Sequence, residues 1–156
     1  MKKILFVCAT MVLLATATTS FAAEGTVSAK EPDKILSIAK GFGSAELGVD
    51  RDGDPRIKGR IEGTNYYLYF FGCKENKNCT SVQFYTVWSR DDKPSLEDIN
   101  TWNSKIRFGK AYLDSEKDPA LKMDVVLLDV TPAYLEEWFD WWRVIVANFK
   151  KHIEKK

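Results

Sequence analysis

The sequence predicts an α+β domain built on a single antiparallel sheet, and three observations carry that prediction. Six short runs rich in apolar, β-branched and aromatic residues are separated by turn signals such as Asp52-Gly53 and Gly63-Thr64-Asn65, as in hairpin-connected strands. Three further segments repeat apolar residues at helical spacing, near the N-terminus, in the middle and at the C-terminus. Their order, α-β-β-β-β-α-β-β-α, places N-terminal, central and long C-terminal helices on one sheet rather than between parallel strands.

The chain has 156 residues, is 45% hydrophobic and carries a net charge of +1. These values describe one globular domain and exclude a disordered chain, a collagen-like chain or a basic nucleic-acid arm. The first 22 residues read as a signal peptide: Lys2 and Lys3, an apolar run from Ile4 to about Ala17, then Ser20-Phe21-Ala22 before a cut at Ala22/Ala23. The apolar run is shorter than the roughly 20 residues of a spanning helix, so no stable membrane anchor is expected. Removing it takes away two lysines and no acid, which lowers the net charge from +1 to −1. A periplasmic or secreted location follows, with no general electrostatic drive towards nucleic acid.

Residues 23–31 are small and polar and are expected to be a flexible N-terminus, with the folded domain spanning 32–156. Pro32 suits a first helical turn, and Ile35, Leu36, Ile38 and Ala39 follow before Gly41. Residues 45–49 and 56–61 read as strands around the turn Asp50-Arg51-Asp52-Gly53-Asp54-Pro55. The aromatic run 66–71 and the run 80–88 form a hairpin whose link begins at Cys73 and ends at Cys79. In an oxidising compartment these two should form a disulfide worth about 2 kcal/mol. They are not spaced Cys-x-x-Cys, and no histidine or further cysteine lies near enough to complete a zinc site. Ser95 with Asp98 is a capping box opening the central helix. Residues 108–113 and 121–128 return to strand, and Thr131-Pro132 caps a last helix running to about His152.

Certain motifs resemble the YbjN family. They are Gly63-x-x-Tyr66-x-Leu68-x-Phe70-x-Gly72-Cys73, Cys79-x-x-Val82-x-Phe84, and above all Ile99-Asn100-x-Trp102-Asn103-x-x-x-Arg107-Phe108-Gly109-x-Ala111-Tyr112-Leu113-Asp114. Trp138-Phe139-x-x-Trp142 also fits, so the likeness covers roughly residues 33–150. It implies a fold similar to type III secretion chaperones: small domains, usually dimeric, that hold another protein rather than catalyse. Members are often labelled sensory-transduction regulators. The signal peptide and cysteine pair set this chain apart from cytoplasmic members.

Little in the chain suggests catalysis. Asp50, Asp52 and Asp54 invite a calcium-loop reading, but glycine falls at the fourth position and Ile61 stands where a bidentate Glu is needed, so a plain turn is expected. His152, the only histidine, sits in a lysine-rich terminus expected to fray, a poor place to fix an imidazole. Neither a Gly-x-Ser-x-Gly elbow nor a phosphate-binding glycine loop occurs, no cofactor is implied, and nothing favours a catalytic carboxylate pair. Arg56, Lys58 and Arg60 beside an aromatic strand could suggest an oligonucleotide platform, which the near-neutral charge argues against. Tyr67, Tyr69 and Phe71 alternate with Tyr66 and Phe70, a pattern fitting helices on one sheet face and a loop or partner on the other.

Two sets of residues remain. Asn100 and Asn103 read as structural amides, with Asn103 on the apolar helix face beside Leu96, Ile99 and Ile106 and bonded to backbone where helix meets strand. On the last helix Leu135, Trp138, Phe139, Trp142, Val146, Phe149 and Ile153 form the core stripe, leaving Tyr134, Trp141 and Val144 at its edge or beyond. Those three are covered by neighbouring loops or form a surface for a protein partner or a second copy. The expectation is an exported, non-catalytic interaction module, chaperone-like or regulatory. The alternative is a small-ligand or lipid-binding domain with its pocket between sheet and last helix.

Overall fold

The computed structural model describes residues 25–154. The expected signal peptide, residues 1–22 with Cys8, lies outside the described residues. Helix α1 spans Pro32–Gly41, followed by β1 Ala45–Val49, β2 Pro55–Ile61, β3 Thr64–Phe71 and β4 Ser81–Val87. Helix α2 is Leu96–Lys105, then β5 Lys110–Leu113, β6 Pro119–Val126 and α3 Pro132–Glu154. The strands form one six-stranded antiparallel sheet in the order β1-β2-β3-β4-β6-β5. The element order is the one the sequence predicts.

Period-two alternation sets which face is covered. Ile57, Ile61, Tyr66, Leu68, Phe70, Val82, Phe84, Leu121, Met123 and Val125 are buried on one face, while most of their strand neighbours are more exposed, Ala120 at the start of β6 excepted. The three helices pack on the buried face. At its centre Phe84 meets Phe139 edge-on at 4.9 Å and Trp142 at 5.4 Å, with Tyr66 against both helix rings at 6.4 and 6.5 Å. Tyr66 crosses from β3 to lie over Gly59 of β2, its register partner, where any Cβ would collide with the ring.

One loop design joins two of the hairpins. In β1–β2, Asp50 Oδ1 accepts the N–H groups of Asp52 and Asp54 at 2.9 and 3.0 Å, and Asp50 N–H donates to Asp54 O at 2.9 Å. In β5–β6, Asp114 Oδ1 accepts from Glu116 and Asp118 at 2.9 Å each, and Asp114 N–H donates to Asp118 O at 3.0 Å. Each loop reads Asp-x-x-x-Asp-Pro, and its fourth residue is left-handed: Gly53 at φ 90° and Lys117 at φ 62°. Asp118, buried at the second loop, is ion-paired with Lys93 and accepts from Arg90 N–H, and Lys93 holds its pKa below the usual carboxylate range.

Two terminal expectations fail. Residues 27–29 are not a loose tail: Val27 and Val130 exchange backbone hydrogen bonds of 2.7 and 2.9 Å, and Ala29 N–H donates to Leu127 O at 3.1 Å. Val27 and Ala29 are thereby buried in the core, a pairing too short to announce itself as a strand. At the other end His152 does not sit in a frayed terminus. Its ring packs 5.5 Å from Trp102, with Nε2 3.0 Å from Asp98 O, tying α3 to the start of α2.

Candidate interaction surfaces

Tyr134, Trp141 and Val144 stand on the exposed side of α3, with relative accessibilities of 43%, 39% and 41%. No loop of the described chain covers them. They do not act alone. Trp138, assigned by periodicity to the core stripe, is only half-buried, and Ile145 takes a core place instead. Trp138 contacts Tyr134 at 6.1 Å, while Phe108 stands edge-on to Trp138 and Trp141, each at 5.2 Å. Tyr134, Trp138, Phe108 and Trp141 thus make one aromatic ridge, with Val144 a turn further on.

Phe108 is the member that the sequence does not announce, since the run 108–113 reads as strand. The strand begins only at Lys110, because Phe108 is left-handed at φ 68° in the link from α2. Gly109 explains the bend. A Cβ there would lie 2.7 Å from Ile145 Cγ2, so the backbone presses directly on α3 and lifts Phe108 onto the two indoles. The Arg107 guanidinium covers the Phe108 ring at 4.7 Å.

Asn103 and Asn100 behave differently. Asn103 Nδ2 donates to Ala111 O at 3.0 Å, and its Oδ1 accepts from Ala111 N–H at 2.9 Å. This is the predicted bonding to backbone, now located on the outer edge of β5. Asn103 lies at the exposed margin of the helix, and α2 packs through Ile99 and Trp102 while Leu96 faces solvent. Asn100 is also exposed, and its side chain makes no hydrogen bond among the described residues.

Cys73 and Cys79 form a disulfide, Cys79 fully buried. Their hairpin loop reaches the β1–β2 loop, where Asn76 Nδ2 donates to Asp54 Oδ1 at 2.9 Å and to Asp52 O at 3.0 Å. Of the three carboxylates that suggested a calcium loop, Asp50 is therefore engaged by its own turn and Asp54 by Asn76. Among the described residues no group of three or more His, Cys, Asp or Glu side chains is placed to hold a metal. The space between sheet and α3, where the alternative reading put a ligand or lipid pocket, is filled by Tyr66, Phe84, Phe139 and Trp142. No described helix is long and apolar enough to cross a membrane.

The sheet face away from the helices carries a second aromatic group. Tyr67 and Tyr69 lie 5.7 Å apart, and Tyr69 and Tyr85 lie 6.0 Å apart. Arg56 covers the Tyr67 ring at 5.0 Å and Lys122 the Tyr112 ring at 5.3 Å. Partial burial pushes the Tyr85 hydroxyl up to about 12, with neighbouring Tyr112 and Asp114 adding to the effect. Desolvation also raises Tyr69, while Arg56 partly offsets it. Tyr85 and Tyr112 share the strand parity of Tyr67 and Tyr69 through the ladder, a signal that pairing register alone reveals.

No curated protein matches the chain at a significant level. The family described as "YbjN: Putative bacterial sensory transduction regulator" matches residues 31–155, from the residue before α1 to the end of α3. The match takes in the capped α2, the Phe108 bend and the ridge on α3, and on that extent the chain belongs to the YbjN family.

Proposed function

We propose that the protein is an exported, non-catalytic interaction module, chaperone-like or regulatory, which holds an apolar segment of another protein against its α3 ridge. The observation that carries this reading is the ridge itself. Phe108, Tyr134 and Trp141 are three of the four large aromatic side chains exposed among the described residues, the fourth being Phe71, and they gather at one place. Tryptophan and tyrosine dominate binding energy where they can be desolvated together, and a clustered exposed set is a common mark of such a site. Membership of a family of regulatory or interaction domains supports the same reading. The basic n-region, short apolar run and Ser-x-Ala cleavage pattern support export to the periplasm or beyond.

A photo-crosslinking residue at Trp141, used in the producing cell, tests the mode of action. A single reproducible heteromeric adduct, lost on Trp138→Ala, is the expected outcome. Self-adducts alone would identify the ridge as a dimer seam, and no adduct at all would refute a protein-binding ridge. Mass spectrometry of the isolated protein's N-terminus tests export, with Ala23 as the expected first residue.

A further inference from the structure

The helix-free face of the sheet carries a surplus of positive charge. Strand parity puts Arg56, Lys58, Arg60, Lys110 and Lys122 there, against Glu46 and Asp124. Asp50 and Asp114 of the adjoining loops stand near Tyr69 and Tyr85. Asp124 accepts from Gln83 Nε2 at 2.6 Å, and Glu46 pairs with Lys58 at 3.5 Å between two exposed side chains, so an acidic segment would compete with Glu46 for Lys58. The register then aligns Lys58, Tyr67, Tyr85, Lys122 and Lys110 in one row across five strands. No element of the described chain covers this row, although Tyr67 and Tyr85 are only partly exposed.

We propose that this face is a second docking site, separate from the α3 ridge, for an acidic extended segment of a partner protein lying along that row. Charge complementarity selects the occupant. A second copy presenting the same face would bring like charges together, which opposes self-association. The ring faces of Tyr67 and Tyr112 already hold Arg56 and Lys122, so they are not free platforms for stacked bases. What the face offers outward is hydroxyl, guanidinium and ammonium groups, donors suited to carboxylates. From Lys58 to Lys122 is three strand spacings, about 14 Å, which about four residues of extended chain can span. Acidic side chains at both ends of such a stretch would meet the two lysines, with its middle over Tyr67 and Tyr85.

The test titrates isotopically labelled protein with a poly-L-glutamate peptide of about twelve residues, long enough to cross the row when extended. The expected result is saturable amide shifts centred on Tyr67, Tyr85 and Lys122, weakening as salt rises. The double variant Lys58→Glu/Lys122→Glu should lower affinity at least about tenfold, with Lys58→Met/Lys122→Met in between. Trp141→Ala should bind as the parent does, which separates this site from the ridge. Absence of saturable binding, shifts centred on α3, or full affinity in the charge-reversed variant would overturn the proposal. So would tighter binding of an oligothymidylate of equal length, which would mark the face as a nucleic-acid platform instead.

Discussion

The amide of Asn103 satisfies both backbone groups of Ala111, donating to its carbonyl at 3.0 Å and accepting from its N–H at 2.9 Å. A side chain from α2 thus takes the place that a further strand would occupy beside β5. Asn103→Ala should lower stability by about 1–2 kcal/mol, because two hydrogen bonds are lost near the surface, where water partly replaces them. Asn100→Ala, three residues earlier on α2 and without such bonds among the described residues, should stay within about 0.5 kcal/mol. Urea midpoints of the two variants check this, and equal midpoints would remove Asn103 from its structural role.

The two Asp-x-x-x-Asp-Pro loops differ at the position that must be left-handed, Gly53 in one and Lys117 in the other. A Cβ is strained there, whereas glycine is not. Lys117→Gly should therefore raise stability, by about 0.5 kcal/mol after the added freedom of the unfolded chain is counted. A fall in thermal midpoint would show that Lys117 contributes more than its backbone angle suggests.

Adjacent tryptophans on α3 have opposite roles. Trp142 is completely buried against Phe84, and Trp142→Ala should cost about 3–5 kcal/mol. Trp141→Ala should change stability by no more than about 1 kcal/mol. Denaturant titration of both separates core from surface.

The Cys73–Cys79 bridge closes a short loop, with a sequence separation of 6. Loop closure of that size restricts the unfolded chain by about 2 kcal/mol, so reductant should lower the urea midpoint accordingly. A Cys73→Ser/Cys79→Ser variant should match the reduced protein and should no longer respond to reductant.

Alkaline stability follows from the buried hydroxyls. Burial raises Tyr66 well above the ordinary tyrosine range and Tyr85 to about 12. A raised value means that the folded state favours the neutral phenol. This contribution is complete below the unfolded pKa of about 10 and fades as pH climbs through the folded values. Unfolding free energy should decline from about pH 10 upward, and phenolate absorbance should show a late-titrating fraction that disappears on unfolding. Tyr66→Phe and Tyr85→Phe together should flatten the decline.

Much of this architecture was legible in local pattern. Pro32, the Ser95–Asp98 box and Thr131-Pro132 mark helix starts, and alternation around Asp-Gly marks the first hairpin. Tyr134, Trp141 and Val144 stood out because α3 has more apolar residues than one stripe can bury. What local pattern does not contain is long-range placement. Val27 looked like part of a polar tail because its partner, Val130, lies more than a hundred residues away in sequence. Phe108 looked like a strand residue because its left-handed turn depends on Gly109 touching Ile145 across the domain. The backbone partners of Asn103 are legible in its place on α2, whereas the exposure of Leu96, which shares the apolar spacing of Ile99, is not.

The cap that Asn103 places on Ala111 also limits what the sheet can become. A sheet with two open edges can add copies of itself indefinitely, each new molecule exposing the edge the last one covered. Here Asn103 of α2 occupies the outward backbone groups of Ala111 on one edge strand, β5, while the other edge strand, β1, carries no such side-chain cap among the described residues. Growth by edge pairing at β1 would end after two molecules meet β1 to β1, which gives the domain a built-in stop against fibre formation.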